Sequence, residues 1–242
     1  MCKNHYQQPQ RNGFHRPLPI QQILSWVAFL IEIIVYFTLI FPALDKGWRI
    51  GITIPYCIIF ITYNTCFILA ALCKHESAYI APDSKEMGFN CKWCGKIVNM
   101  KSKHCRCCNI CRMDFDHHCF FLNNCVTKDN YILFLSGVYS LMISSILSTL
   151  LSIYVIMGNE YYDNEIIDKL SDFYGGKFPK ALEYVLLGLF LVMLLGCQVF
   201  CTYLIALHAL LHRKRISTWD LIVYRRQMTL QKLSSNIHKV RN

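Results

Sequence analysis

Three features of the sequence predict an all-α polytopic membrane protein: four transmembrane helices, with a cytoplasmic metal-binding cysteine-rich domain of short β-hairpins between spans 2 and 3. Four apolar runs each approach or exceed the ~20 residues that cross a hydrocarbon layer. Cys91 to Cys125, between the second and third runs, holds eight of the 14 cysteines and three of the nine histidines. Lys and Arg crowd into alternate loops. Composition agrees, with 54% apolar and 17% charged residues. The net charge of +10 reads as a cytoplasmic membrane face and not as a nucleic-acid surface, because the cations lie beside the apolar runs.

Residues 1–19 form a basic N-terminal segment in which Pro9, Pro17 and Pro19 discourage helix. The first span is expected over 20–41. It starts too late, runs too long and lacks the small-residue cleavage site of a signal peptide. Glu32, in its middle, reads as a protonated or hydrogen-bonded carboxyl facing the bundle. A short loop follows, then a second span over 50–73, where Asn64 is expected to hydrogen-bond between helices. Residues 74–130 make a long polar loop. The third span is expected over 131–158. An acidic, aromatic loop fills 159–180, with turns at Gly175-Gly176 and Pro179. The fourth span, 181–211, is long enough to tilt. Residues 212–242 are a basic tail, suited from Leu221 to Val240 to an anionic membrane surface. Cys2 and Cys73 lie near the membrane.

Charge fixes the expected orientation. Twenty of the 25 Lys and Arg fall in 1–19, 74–130 and 212–242, and five in the two opposite loops. The positive-inside rule then puts both termini and the cysteine-rich stretch in the cytoplasm, and 159–180 on the lumenal side. A reducing compartment argues against structural disulfides, leaving metal binding and catalysis as uses for so many thiols.

Cys91-x2-Cys94, Cys105-x2-Cys108 and Cys108-x2-Cys111 are spaced to grip an ion from tight turns. With His104, His118 and Cys125 they offer enough ligands for two closed tetrahedral zinc sites. Two such sites use eight ligands; the stretch supplies eleven cysteines and histidines. One surplus thiol is Cys119, two residues after His117, which follows Asp116. A histidine is the usual device for ionising a cysteine, and an acid can orient that histidine.

Asp116-His117-His118-Cys119, set in this cysteine order and between the second and third of four spans, resembles the DHHC protein S-acyltransferases, the palmitoyltransferases. The likeness continues through Asn123-Asn124-Cys125 to Asn130, Tyr131 and Phe134. Ser217-Thr218-Trp219-Asp220 resembles the family's Thr-Thr-x-Glu motif. The resemblance implies one structural Zn2+ held by Cys91, Cys94, His104 and Cys111, and a second held by Cys105, Cys108, His118 and Cys125. It implies Cys119 as nucleophile, His117 as its base, Asp116 as the group orienting that base, and Thr218 as a support for Asp116. Cys107 is left as a spare thiol.

The implied reaction moves a long-chain acyl group, palmitoyl above all, from acyl-CoA through Cys119 to cysteines of membrane-associated substrate proteins, at a Golgi or endoplasmic reticulum membrane. Lys96, Lys101, Lys103 and Arg106 are candidates for the CoA phosphates. In the family the acyl chain lies in a cavity among the spans. Ser144 is the candidate for its closed end, with Ile143 and Leu147 left open by helix rotation. The chain departs from the family at Asn99-Met100-Lys101, where Pro-Pro-Arg is usual, and at Phe120-Phe121, where Pro-Trp is usual. The rival reading is an acylation-inactive zinc-binding membrane adaptor.

Overall fold

The computed structural model describes residues 12–75, 78–81, 84–161 and 165–241. Cys2 and most of the N-terminal segment lie outside them. The described chain is mostly helical. Helix α1, Ile20–Val35, passes through a π turn at Tyr36–Ile40 into α2, Phe41–Ala43; α3 is Lys46–Leu72. Six short strands follow: β1 Gly88–Asn90, β2 Ile97–Asn99, β3 Lys103–Cys105, β4 Ile110–Arg112, β5 Phe115–Cys119 and β6 Asn124–Thr127. The rest is α4 Tyr131–Tyr161, α5 Glu165–Tyr174, α6 Lys180–Lys214 and α7 Thr218–Arg241. Ile20–Ala43, Lys46–Leu72, Tyr131–Tyr161 and Lys180–Lys214 are long and apolar enough to cross a membrane.

The chain forms two compact units. Leu18–Leu69 and Leu133–Ile205 make one; Ala70–Ile132, with the segments up to Pro17 and from Ala206, makes the other.

The first unit is apolar outside and partly polar inside. Leu189 and Val192 are 66% and 70% exposed, whereas Glu32, Ser144, Ser148 and Ser152 are buried. Lipid explains both facts: it solvates apolar side chains and offers polar ones nothing, so these turn inward and bond to one another. Tyr63 Oη donates to Glu32 Oε2 at 2.6 Å, and Ser144 Oγ and Ser148 Oγ donate to Glu32 Oε1 at 2.6 and 3.3 Å. Glu32 is therefore a bonded carboxyl inside the bundle, tying α1 to α3 and α4. Asn64 behaves otherwise than expected: its amide donates to Phe60 O, one turn back on its own helix.

Two elements differ from the sequence reading. The loop after the first span shrinks to Leu44-Asp45, because α3 already begins at Lys46. Arg49, read as a loop cation, satisfies its guanidinium on the carbonyls of Pro42 and Leu44 and so can sit inside a helix. Residues 159–180 hold helix α5, with Glu165 in its first turn. Lys169 of α5 pairs with Glu165 at 2.8 Å and Asp45 at 2.6 Å.

The second unit is built on three antiparallel hairpins, β1–β2, β3–β4 and β5–β6. Their turns pass through left-handed residues, Gly95 (φ 66°), Asn109 (φ 52°) and Asn123 (φ 48°), residue types that tolerate this conformation. Strands of three to five residues are marginal as isolated hairpins, so other bonds must hold them. Asn124 Nδ2 reaches the carbonyls of Ala70, Ala71 and Cys73 at 3.0–3.3 Å, and Asn130 Nδ2 reaches Ala70 O at 3.0 Å. Carbonyls at a helix end lack intrahelical partners, and these two amides use them to fasten β6 to the end of α3.

Candidate active site and metal centres

Alternation along the strands sorts neighbouring residues into different sites, since successive side chains on a strand point to opposite faces. His104 and Cys105 are adjacent on β3. His104 sits opposite Cys111 on β4 and joins Cys91, Cys94 and Cys111 in one cluster. Cys105 joins Cys108, His118 and Cys125 in another. In the first, Cys94 Sγ lies 3.6 Å from Cys111 Sγ, and His104 Nδ1 lies 3.5 Å from Cys111 Sγ. In the second, Cys108 Sγ lies 3.3 Å from His118 Nδ1 and 3.5 Å from Cys125 Sγ. Four ligands at these separations are suited to a tetrahedral ion with Zn–S near ~2.3 Å and Zn–N near ~2.0 Å.

The chemistry of the second donor set fits a cation. Hydrogen bonds from Cys108 and Cys125 draw Cys105 well below the ordinary thiol range, while burial pushes Cys125 well above it. Among themselves the buried thiols favour one anion; a dication would let the others ionise. Cys107 is buried in the same cluster of side chains, and it is disulfide-bonded rather than a spare thiol.

The same alternation builds the third site. His118 points to the metal cluster, so His117 and Cys119 share the other face of β5. A β-bulge interrupts the β5–β6 register between Phe115 and His117, a device that re-aims a side chain. Here the carboxylate of Asp116 meets its own neighbour: Asp116 Oδ2 accepts from His117 Nδ1 at 2.8 Å. That leaves Nε2 of His117 for Cys119, which also hydrogen-bonds the ring.

Asp116 Oδ1 accepts the backbone N–H of Thr218 at 3.0 Å. Thr218 thus supports Asp116 through its backbone. It is the first residue of α7, so the carboxylate sits at a helix N-terminus, where negative charge is favoured. Ser217 and Asp220 complete a capping box: Asp220 N donates to Ser217 Oγ at 3.1 Å, and Ser217 N donates to Asp220 Oδ2 at 3.1 Å. Trp219 packs its edge on Phe115, centroids 5.8 Å apart.

Burial alone would raise Asp116 and lower His117. For Asp116 the bonds from His117 and Thr218 win, and its pKa lies below the ordinary carboxylate value. For His117 the bonds to Asp116 and Cys119 win, raising it to about 9. The arrangement favours an imidazolium held between the Asp116 carboxylate and the Cys119 sulfur. A raised folded pKa stabilises fully below the unfolded value of ~6.5, and the gain is lost as pH rises through about 9. The melting-temperature gap between the native chain and His117→Ala is expected to narrow from about pH 6 to about pH 10. A gap that stays constant would show that His117 carries no such charge.

The four candidate phosphate-binding cations do not sit together. Lys96 Nζ lies over the Tyr79 ring at 4.4 Å and Arg106 over the Trp93 ring at 4.1 Å, both beside the first cluster. Lys101 and Lys103 instead line a cleft of about 500 Å3 with Lys128, Tyr131 and Asp116. Lys128 gave no signal in sequence, since one lysine in a polar loop is unremarked. His208 gave none either, being a lone histidine within an apolar run. Its Nδ1 lies 2.9 Å from Tyr131 Oη, and its ring centroid lies 5.8 Å from that of His117. Ser144, on α4, is fully buried and bonded to Glu32.

Comparison with known proteins agrees with the geometry. A sequence model of the DHHC palmitoyltransferase family matches residues 85–225. Probable protein S-acyltransferase 20 of Arabidopsis thaliana is 30% identical over 167 residues, 67% of this chain and 23% of that protein. Palmitoyltransferase ZDHHC4 of Bos taurus is 30% identical over 132 residues, 48% of this chain and 38% of that protein. Palmitoyltransferase SWF1 of Saccharomyces cerevisiae is 43% identical over 58 residues, 24% of this chain and 16% of that protein. The chain spans less than half the length of each of these relatives.

Proposed function

The chain belongs to the DHHC palmitoyltransferase family, and from that premise we propose that it is an integral-membrane protein S-acyltransferase working through an acyl-Cys119 intermediate. What carries the reading is the convergence of Asp116, His117 and Cys119 on one bulged strand, with Asp116 bonded to Nδ1 of His117 at 2.8 Å. Cys119 passes its proton to His117, and the thiolate attacks the thioester carbonyl of a fatty acyl-CoA. The CoA sulfur leaves and takes the proton back from His117. A thiol of a membrane-associated substrate protein then gives its proton to His117 and attacks acyl-Cys119. Cys119 leaves and is reprotonated. Each step exchanges one thioester for another.

Two Zn2+ ions in the Cys/His clusters would clamp the hairpins, with a structural role only. Lys101 and Lys103, joined by Lys128, are the cations we assign to the CoA phosphates. Lys96 and Arg106, engaged by aromatic rings, are less free to take that part. The test is incubation of the purified chain with palmitoyl-CoA and a cysteine peptide. Hydroxylamine-sensitive label should appear on Cys119 and then on the peptide. Bound zinc without any label would favour the inactive adaptor.

The apolar chain of the substrate is assigned to a cavity among the spans, with Ser144 at its closed end. Ser144 lies thirteen residues beyond Tyr131, roughly 20 Å along α4 at ~1.5 Å per residue, about the length of an extended C16 chain. Ser144→Phe is expected to shift the preference among acyl-CoAs of about twelve to eighteen carbons toward the shorter ones. An unchanged profile in a folded variant would remove Ser144 from the cavity.

Both termini and the active site are assigned to the cytoplasm, at a Golgi or endoplasmic reticulum membrane. A glycosylation acceptor inserted in the 159–180 loop should be modified, and one placed in the tail should not. The opposite pattern would invert the topology.

A further inference from the structure

We propose that His208, on α6, is a positioning residue that holds the His117 ring against Cys119. The proposal rests on the reading of His117 and Cys119 given above, but not on which acyl donor they use.

Asp116 holds Nδ1 of His117 and Cys119 bonds the ring as well; both contacts act at the ring's edge, and a side chain packed against the ring sets its tilt. The opposite face of β5 is committed to the metal cluster through His118, so it cannot brace His117. The brace comes from another element. A ring nitrogen of His208 lies within 4.8 Å of a ring nitrogen of His117 and of a carboxylate oxygen of Asp116. The two rings meet at 43°, centroids 5.8 Å apart. His208 is itself 3% exposed. A histidine so buried needs a partner for its polar atoms, and it has one in Tyr131 Oη, 2.9 Å from Nδ1. The Tyr131 ring also packs edge-on against His208, centroids 5.5 Å apart at 67°. A chain of contacts thus runs from Tyr131 through His208 to His117 and Cys119.

Its two ends do different work. Tyr131 lines the cleft in which Lys101 and Lys103 face Asp114 and Asp220, while Cys119 carries the reacting sulfur. His208 therefore stands where the cleft meets the nucleophile. Small displacements of a base from its nucleophile cost rate steeply, up to about a hundredfold per ångström.

The test uses the full-length chain in detergent with its metal retained. Peptide-resolved alkylation of Cys119 by iodoacetamide, timed at neutral pH, reports the His117–Cys119 contact without any acyl donor. Single-turnover acylation by palmitoyl-CoA is measured in parallel, with zinc content and melting temperature as controls. His208→Ala is expected to slow both reactions at neutral pH by roughly ten- to a hundredfold. His208→Asn, which keeps a polar group near Nδ1 for Tyr131, should recover part of the loss. Tyr131→Phe should give a smaller shift in the same direction.

A native alkylation rate in His208→Ala would overturn the proposal. So would loss of zinc and of melting temperature in both His208 variants, since that is a scaffold defect. If alkylation slows as expected but palmitoyl-CoA labels nothing even in the native chain, the transferase reading fails and the positioning role stands.

Discussion

Cys119→Ser is expected to form no detectable thioester intermediate with palmitoyl-CoA while keeping both metal clusters and its melting temperature. The two halves of that result have separate causes. Cys119 shares its strand face with His117, away from the face that carries His118, and it belongs to neither metal cluster. Oxygen for sulfur also changes little in a side chain already 7% exposed. The fold should therefore be indifferent. The chemistry should not be, because a serine hydroxyl is a far weaker acid than a thiol. A thiol gives its proton to an imidazole far more readily than an alcohol does. Metal analysis, thermal melting and gel fluorescence with an alkyne palmitoyl-CoA would read all three quantities. Loss of metal in Cys119→Ser would mean that Cys119 is a ligand and that the division of thiols is wrong. Persistent hydroxylamine-sensitive label would point to another cysteine as the nucleophile.

What sequence could and could not reveal follows from the range of the forces involved. The four long helices are legible because lipid demands sustained apolar runs, a signal carried by composition alone. Helix α5 is hidden because Glu165 and Lys169 sit in a polar loop, and the ion pair to Asp45 comes from a distant part of the chain. Arg49 misleads in the same way: a cation reads as loop until the carbonyls that accept it are known. Asn64 shows the limit of assigning partners by type, since its own helix was the nearer acceptor.

The metal clusters are legible because paired cysteines at fixed spacing have few other uses, and strand alternation then divides His104 from Cys105 and His117 from His118. The bulge at Asp116 has no local signature, yet it is what turns three consecutive residues into a site. The sorting of the cations is tertiary. Tyr79 and Trp93 occupy Lys96 and Arg106, leaving Lys101 and Lys103 on the cleft beside Lys128. His208 lies outside any motif, and only helix packing brings it to His117.

Cys125→Ala is expected to release one of the two metal ions, lower the melting temperature and abolish acylation together. Cys125 is fully buried, sits opposite His118 in the β5–β6 register, and has its Sγ 3.5 Å from that of Cys108. Removing it leaves three ligands around a tetrahedral ion. Structural zinc contributes about 10–16 kcal/mol of apparent binding free energy to small modules, whereas deleting large buried apolar side chains costs about 2–5 kcal/mol. Losing even part of the former outweighs the cavity left by a sulfur. The consequence is local because β5 and β6 are only five and four residues long, and a hairpin of that size does not persist unaided. His117 and Cys119 ride on that hairpin, so their contact should go with it. The first cluster, carried by β1–β4, should keep its ion, which makes the expected stoichiometry one and not zero. Limited proteolysis should open the chain between Phe115 and Thr127 before it cuts at Cys91–Cys94. Two ions bound per chain and a native melting temperature in Cys125→Ala would remove Cys125 from the ligand set. Loss of both ions would mean that the two clusters fold as one unit.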